Sequence, residues 1–257
     1  MSPSRQTALI AGIWFALTFI ASIPALILYD PVLNDTQYIL SAGHDTQIQL
    51  AAFLEVILAL SGIATAVVFY PVLKRQNQAV ALGYVGSRTV ESVMILVGVI
   101  AVLSVVTLRQ DVGGAGATDP ATLEIAGRSL IAVKDWTFLF GPAFCAGFGN
   151  GVLLGYLMYR SGLLPRRLAL FGLIGGPISA AGATAVLFGA WDQTDAIQLV
   201  LTLGEIVWEA GLSIWLIVKG FNQTAITAAY DRDVQAERQR QGEYDPDRGP
   251  ELKPQRT

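Results

Sequence analysis

Apolar runs of about twenty residues recur along this chain, separated by short polar turns, and they leave it one class of fold. A run of that length wound as an α-helix crosses roughly 30 Å of hydrocarbon. Within hydrocarbon each segment must satisfy its own backbone N–H and C=O groups, which an α-helix does internally. We read about six spans, at about residues 7–29, 47–70, 79–107, 129–159, 168–190 and 196–219. The composition agrees: 53% of the residues are hydrophobic and only 14% charged, against roughly 25% charged in ordinary globular domains. The expected fold is therefore all-α, a polytopic transmembrane helix bundle over residues 1–221. The first run is too long for the apolar core of a cleaved signal peptide, so it is expected to remain as the first helix. Residues 222–257 combine mixed charge with prolines, which predicts a disordered tail.

Lys and Arg in the short loops set the expected orientation. With the N-terminus inside, the cytoplasmic set is Arg5, Lys74, Arg75, Arg160, Arg166, Arg167 and Lys219. The opposite loops hold Arg109 and Arg128 amid Asp30, Asp35, Asp45, Asp111, Asp119, Asp192 and Asp195. Both termini are therefore expected in the cytoplasm of a cell with this protein in its plasma membrane. The bilayer is the expected partner, and nucleic acid is not.

Ionisable residues inside the spans are the main clue to function, because a charge at the centre of a membrane helix costs at least about 2.5–3.5 kcal/mol. They are Glu55, Arg88, Glu91, Lys134, Asp135, Glu205 and Glu209. At 1.5 Å per residue, Glu55 lies at about 9 Å from the outer face, Glu91 and Glu205 at about 13 Å, and Arg88 and Glu209 at about 18–19 Å. Lys134 and Asp135 fall near the outer surface or one turn below it. Arg88 and Glu91 are i, i+3 and Glu205 and Glu209 are i, i+4, so each pair shares a helix face. Lys134 and Asp135 are adjacent and point apart, which suits two different partners. The expected bridges are Arg88 with Glu91 and with Glu55 or Glu205, and Lys134 with Glu205. Carboxyl groups outnumber bases in this set, so some must be protonated, hydrated, or balanced by a bound cation.

Small residues indicate where helices approach closely. Gly147, Gly151 and Gly155 recur every fourth residue in the fourth span, and Gly172, Gly176 and Ala180 do so in the fifth. These two spans are expected to pack along those faces. Gly141-Pro142 and Gly176-Pro177 are expected to kink their helices.

Several chemistries are excluded. One cysteine, Cys145, and one histidine, His44, cannot supply a disulfide framework, a metal centre or a nucleophilic constellation. Gly113-Gly-Ala-Gly116 precedes no strand–helix unit and reads as a loop rather than a phosphate cradle. No cofactor is expected. Three readings of the charge cluster stay open. It binds or moves a proton, a cation or a small cationic or polar ligand; it only bridges the helices; or it serves an enzyme acting on a lipid-like substrate.

Three stretches carry a resemblance. They are Arg88-Thr-Val-Glu91, the turn Gly155-Tyr-Leu-Met-Tyr-Arg160-Ser-Gly-Leu-Leu-Pro165-Arg-Arg-Leu, and Glu205-Ile-Val-Trp-Glu-Ala-Gly-Leu-Ser-Ile-Trp215-Leu-Ile-Val-Lys-Gly220. Together they resemble the prokaryotic membrane family termed domain of unknown function 4386, over about residues 5–221. The resemblance implies a multi-helix membrane protein with Arg-x-x-Glu in the third span and a Glu and a Trp in the last. It implies no established activity. Where members of that family often carry a histidine before the apolar run of the fourth span, this chain has Lys134-Asp135.

Overall fold

The computed structural model describes residues 2–243, except Thr36, residues 41–42 and residues 114–118. The Gly/Ala-rich loop and the end of the tail therefore lie largely outside the described residues.

Six helices are long and apolar enough to cross a membrane: Pro3–Leu28, Asp45–Leu73, Gln78–Asp111, Pro120–Ser161, Arg166–Leu187 and Ala196–Val218. These are the six expected spans, most of them longer at one or both ends. Local signals set the ends. Ser2 caps the first span by accepting from the backbone N–H of Arg5, and Pro3 stands where a missing N–H costs nothing. Asp119 plays the same part before Pro120, accepting from the N–H of Thr122. The fourth span stops at Gly162, whose φ of +68° favours a residue without a Cβ. The second span does not close at Pro71, as expected from its sequence, but runs through it to Leu73.

The spans form a closed ring. Each packs on its neighbours in sequence, and the first closes against the sixth. That closing contact is a backbone approach: a Cβ on Gly12 would lie 2.8 Å from Ile217 Cγ1. Arg5 secures it by donating to the carbonyls of Leu216 and Ile217 at 2.7 and 2.5 Å, groups left open where the sixth helix ends.

Two apolar clusters occupy the ends of the ring. Phe15, Phe69, Tyr84, Met158, Leu163, Trp208 and Phe221 belong to the one nearer the basic turns. Tyr29, Tyr38, Ile48, Val102 and Leu123 belong to the other, at the aspartate-rich end. There Asp45 pairs with Arg109 and accepts from Tyr38 and Gln110, tying the second and third spans to the loop between the first and second. Ionisable side chains lie between the two clusters.

Beyond residue 222 the chain departs from the disordered tail expected there. Gln223–Glu243 is a helix. Ala225 and Ile226 pack against the basic-end cluster, and Ala229 is buried. Farther along, Asp233 lies 3.8 Å from Arg75 and Arg232 donates to Gln76.

Candidate functional site

The fourth span contributes Lys134 and Asn150 to the polar layers, and its winding changes between them. It is α-helical to Phe138, then π-helical over Leu139–Cys145 and Gly147–Leu154, and α-helical again from Gly155. Pro142 cannot donate to the preceding turn, and Gly141, Gly147, Gly149 and Gly151 weaken the α alternative. Where a kink was expected at Gly141-Pro142 the helix instead winds more widely, and the fifth helix runs as one element through Pro177. Side chains from other spans donate to carbonyls in the widened stretch. Ser87 Oγ reaches the carbonyl of Cys145 at 2.8 Å, and Trp208 Nε1 that of Asn150 at 2.9 Å. Such partners are what irregular backbone requires inside a membrane.

The charges form two layers. In the upper layer, nearer the aspartate-rich end, Lys134 Nζ donates to both oxygens of Glu55 at 2.5 and 2.6 Å. Tyr29 adds its hydroxyl to Glu55 at 3.0 Å, and its ring lies 5.0 Å from the ammonium. Gly98 makes room for the lysine, since a Cβ there would lie 2.9 Å from Lys134 Cδ. In the lower layer Arg88 Nη1 donates to Glu91 at 2.7 Å. Here Gly62 provides the space, with its notional Cβ 3.2 Å from Arg88 Nη2. Gly62 follows Glu55, and Gly98 follows Glu91, by seven residues. The layers are thus about 10 Å apart along the bundle.

Two expected pairings are corrected. Lys134 meets Glu55 rather than Glu205, and Arg88 meets Glu91 without Glu55 or Glu205. Asp135 leaves the cluster. It is exposed, and it lines a cavity of about 140 Å³ at the aspartate-rich end with Asp35, Arg128, Tyr38 and Ile131. Successive residues on a helix face directions about 100° apart, so one of the two neighbours had to point out.

Glu205 and Glu209 complete the lower layer. Glu209 accepts a hydrogen bond from the side-chain amide of Asn150. Glu205 is 4% exposed, and neither of its oxygens has a hydrogen-bond partner. The Asn150 side-chain oxygen and the Tyr84 hydroxyl are also buried without partners. With Glu55 and Glu91 each matched to a base, Glu205 and Glu209 are the carboxyls in excess. Asn150 was missed in the sequence reading. It is 0% exposed, and a lone amide amid glycines in an apolar run was the signal that could have found it.

Five residues within the stretches that carried the resemblance therefore converge on one layer: Arg88, Glu91, Glu205, Trp208 and Glu209. A family model described as a domain of unknown function, DUF4386, matches residues 10–220. The chain belongs to the DUF4386 family. No curated protein and no solved structure matches it. The DUF4386 match spans both charged layers and stops just before the tail helix begins at Gln223. Among the described residues, no group of three or more His, Cys, Asp or Glu side chains is placed to hold a metal ion.

Proposed function

We propose that this DUF4386 protein binds a small positive species, a proton or a monovalent cation, on the Glu205–Glu209 pair. We place it in the plasma membrane with both termini in the cytoplasm, on the Lys/Arg asymmetry of its loops. The observation that carries the binding role is Glu205, a carboxyl enclosed by helices with both oxygens unpartnered. A bare carboxylate in that position is strongly disfavoured, whereas a neutral acid or an ion-paired one is not. The Lys134–Glu55 bridge lies in the other layer, while Arg88, bonded to Glu91, attracts Glu205 and Glu209 without hydrogen-bonding to either. Those two bridges also favour a second reading, a purely structural polar core.

Infrared difference spectroscopy of the reconstituted protein after pH steps separates the two readings. Binding predicts a protonated-carboxyl band that titrates and is lost in Glu205→Gln or Glu209→Gln. If sodium or potassium at fixed pH removes the band in the parent protein, the occupant exchanges with a metal cation. A carboxyl spectrum unchanged across about pH 5–9 in every salt leaves only the structural core.

A further inference from the structure

The strongest unexplained feature is where the Glu205 carboxyl lies. Three spans meet around it through backbone rather than side chains. A Cβ on Gly151 would lie 2.5 Å from Gly176 Cα and 2.6 Å from Glu205 Oε2. A Cβ on Gly175 would lie 2.6 Å from the carbonyl carbon of Gly204. The fourth, fifth and sixth spans are thus in main-chain contact, with one acidic side chain held in the seam.

We infer that the Glu205–Glu209 pair takes up a proton, and that losing it loosens the glycine seam between the fourth, fifth and sixth spans. The inference rests on the binding role proposed above and assigns its occupant and its effect. A proton suits the site better than a metal ion because hard cations need several oxygen ligands in an open shell, whereas Glu205 is hemmed in by the Gly151 and Gly176 backbone.

The groups facing the pair complete the account. Arg88, Glu91 and the buried Tyr84 face it from the third span, the first two bridged to each other. Asn150 faces it from the fourth and is engaged with Glu209. The fifth span has no ionisable side chain between Arg167 and Leu187. Glu55 of the second is held by Lys134, and the first contributes no ionisable side chain between Arg5 and Tyr29. Arg88, the cation of this layer, is bonded to Glu91 and hydrogen-bonds to neither Glu205 nor Glu209, and its Nε is buried without a partner. Asn150 and Gly151 both sit in the π-helical stretch Gly147–Leu154. Loss of its proton therefore puts repulsion against a helix that can tighten its winding. That change would turn both residues away from the sixth span.

Spin-label distance measurements test the inference. In a Cys145→Ser background, nitroxides are attached through Phe148→Cys and Ile214→Cys, both at exposed positions on the fourth and sixth spans. The expected result is a 148–214 distance distribution that lengthens as pH rises. Glu205→Gln, which keeps the shape and removes the charge, should hold the short distance at every pH. Hydrogen exchange across residues 147–155, corrected for intrinsic pH dependence, gives the same comparison without labels. A distance and an exchange pattern that do not change while the carboxyl band titrates would overturn the inference and leave the binding role standing. A carboxyl band that never titrates would remove both.

Discussion

Lys134 and Asp135 are neighbours in sequence, yet one is sealed inside the ring and the other lines an open groove. The sequence was legible up to that divergence and no further, because adjacency shows that two side chains part but not which one turns inward. The Arg88–Glu91 bridge was legible for the opposite reason: its i, i+3 spacing needs no knowledge of neighbouring helices. The Lys134–Glu55 bridge was not, since it joins residues 79 apart in sequence and depends on the order of spans around the ring. Removing one partner of a buried pair strands the other, at about 3–5 kcal/mol. Arg88→Leu should therefore lower stability in denaturation assays by about that much, and adding Glu91→Leu should restore part of it. Adding Glu55→Leu instead should give no rescue, because sites about 10 Å apart with no shared partner act nearly additively. Rescue by the Glu55 change and not by the Glu91 change would reverse this assignment.

At the scale of the helix, the close packing of the fourth and fifth spans was visible as glycines at four-residue spacing. The π winding was not. It needs a proline, several glycines and donors from the third and sixth spans acting together, and no single run of sequence displays that combination. Gly151 is where the two features meet, and Gly151→Leu should show it. A leucine there would press on Gly176 and on the Glu205 carboxyl. The expected outcome is a drop in detergent-solution Tm well beyond that of Leu153→Ile, a volume-conserving change nearby. Equal Tm values for the two variants would mean that the spans can separate there at no cost. The tail helix misled for a related reason. Its polar composition signals solvent, while Ala225 and Ile226 in its first half pack against the basic-end cluster and Ala229 is buried.

Taken whole, the molecule is a ring whose ends are chemically distinct. Arg5, the turn at residues 74–77, the turn at 160–166 and the tail helix gather at one end. Their mutual contacts include Ser4 with Gln223, and the backbone N–H of Asn222 with the carbonyl of Leu163. Asp45, Arg109 and Tyr38 gather at the other. Labelling of single cysteines in intact cells should follow that division. Gln193→Cys is expected to react with an impermeant thiol reagent, and Gln76→Cys only after the membrane is opened. The reverse pattern would invert the proposed orientation.

Two layers of charge about 10 Å apart within the spans also have an electrical meaning. Nine residues into the span that begins at Ala196, Glu205 lies about 13 Å from that end of it, well inside the field that an energised membrane maintains across its hydrocarbon. A full charge crossing the whole bilayer exchanges about 2.3 kcal/mol per 100 mV. A proton arriving at Glu205 from either face crosses roughly half of that drop, so each 100 mV biases its occupancy by about 1 kcal/mol, or roughly five-fold. Voltage and acidity would then act on the same carboxyl, and a change in either could be read by the helices that surround it.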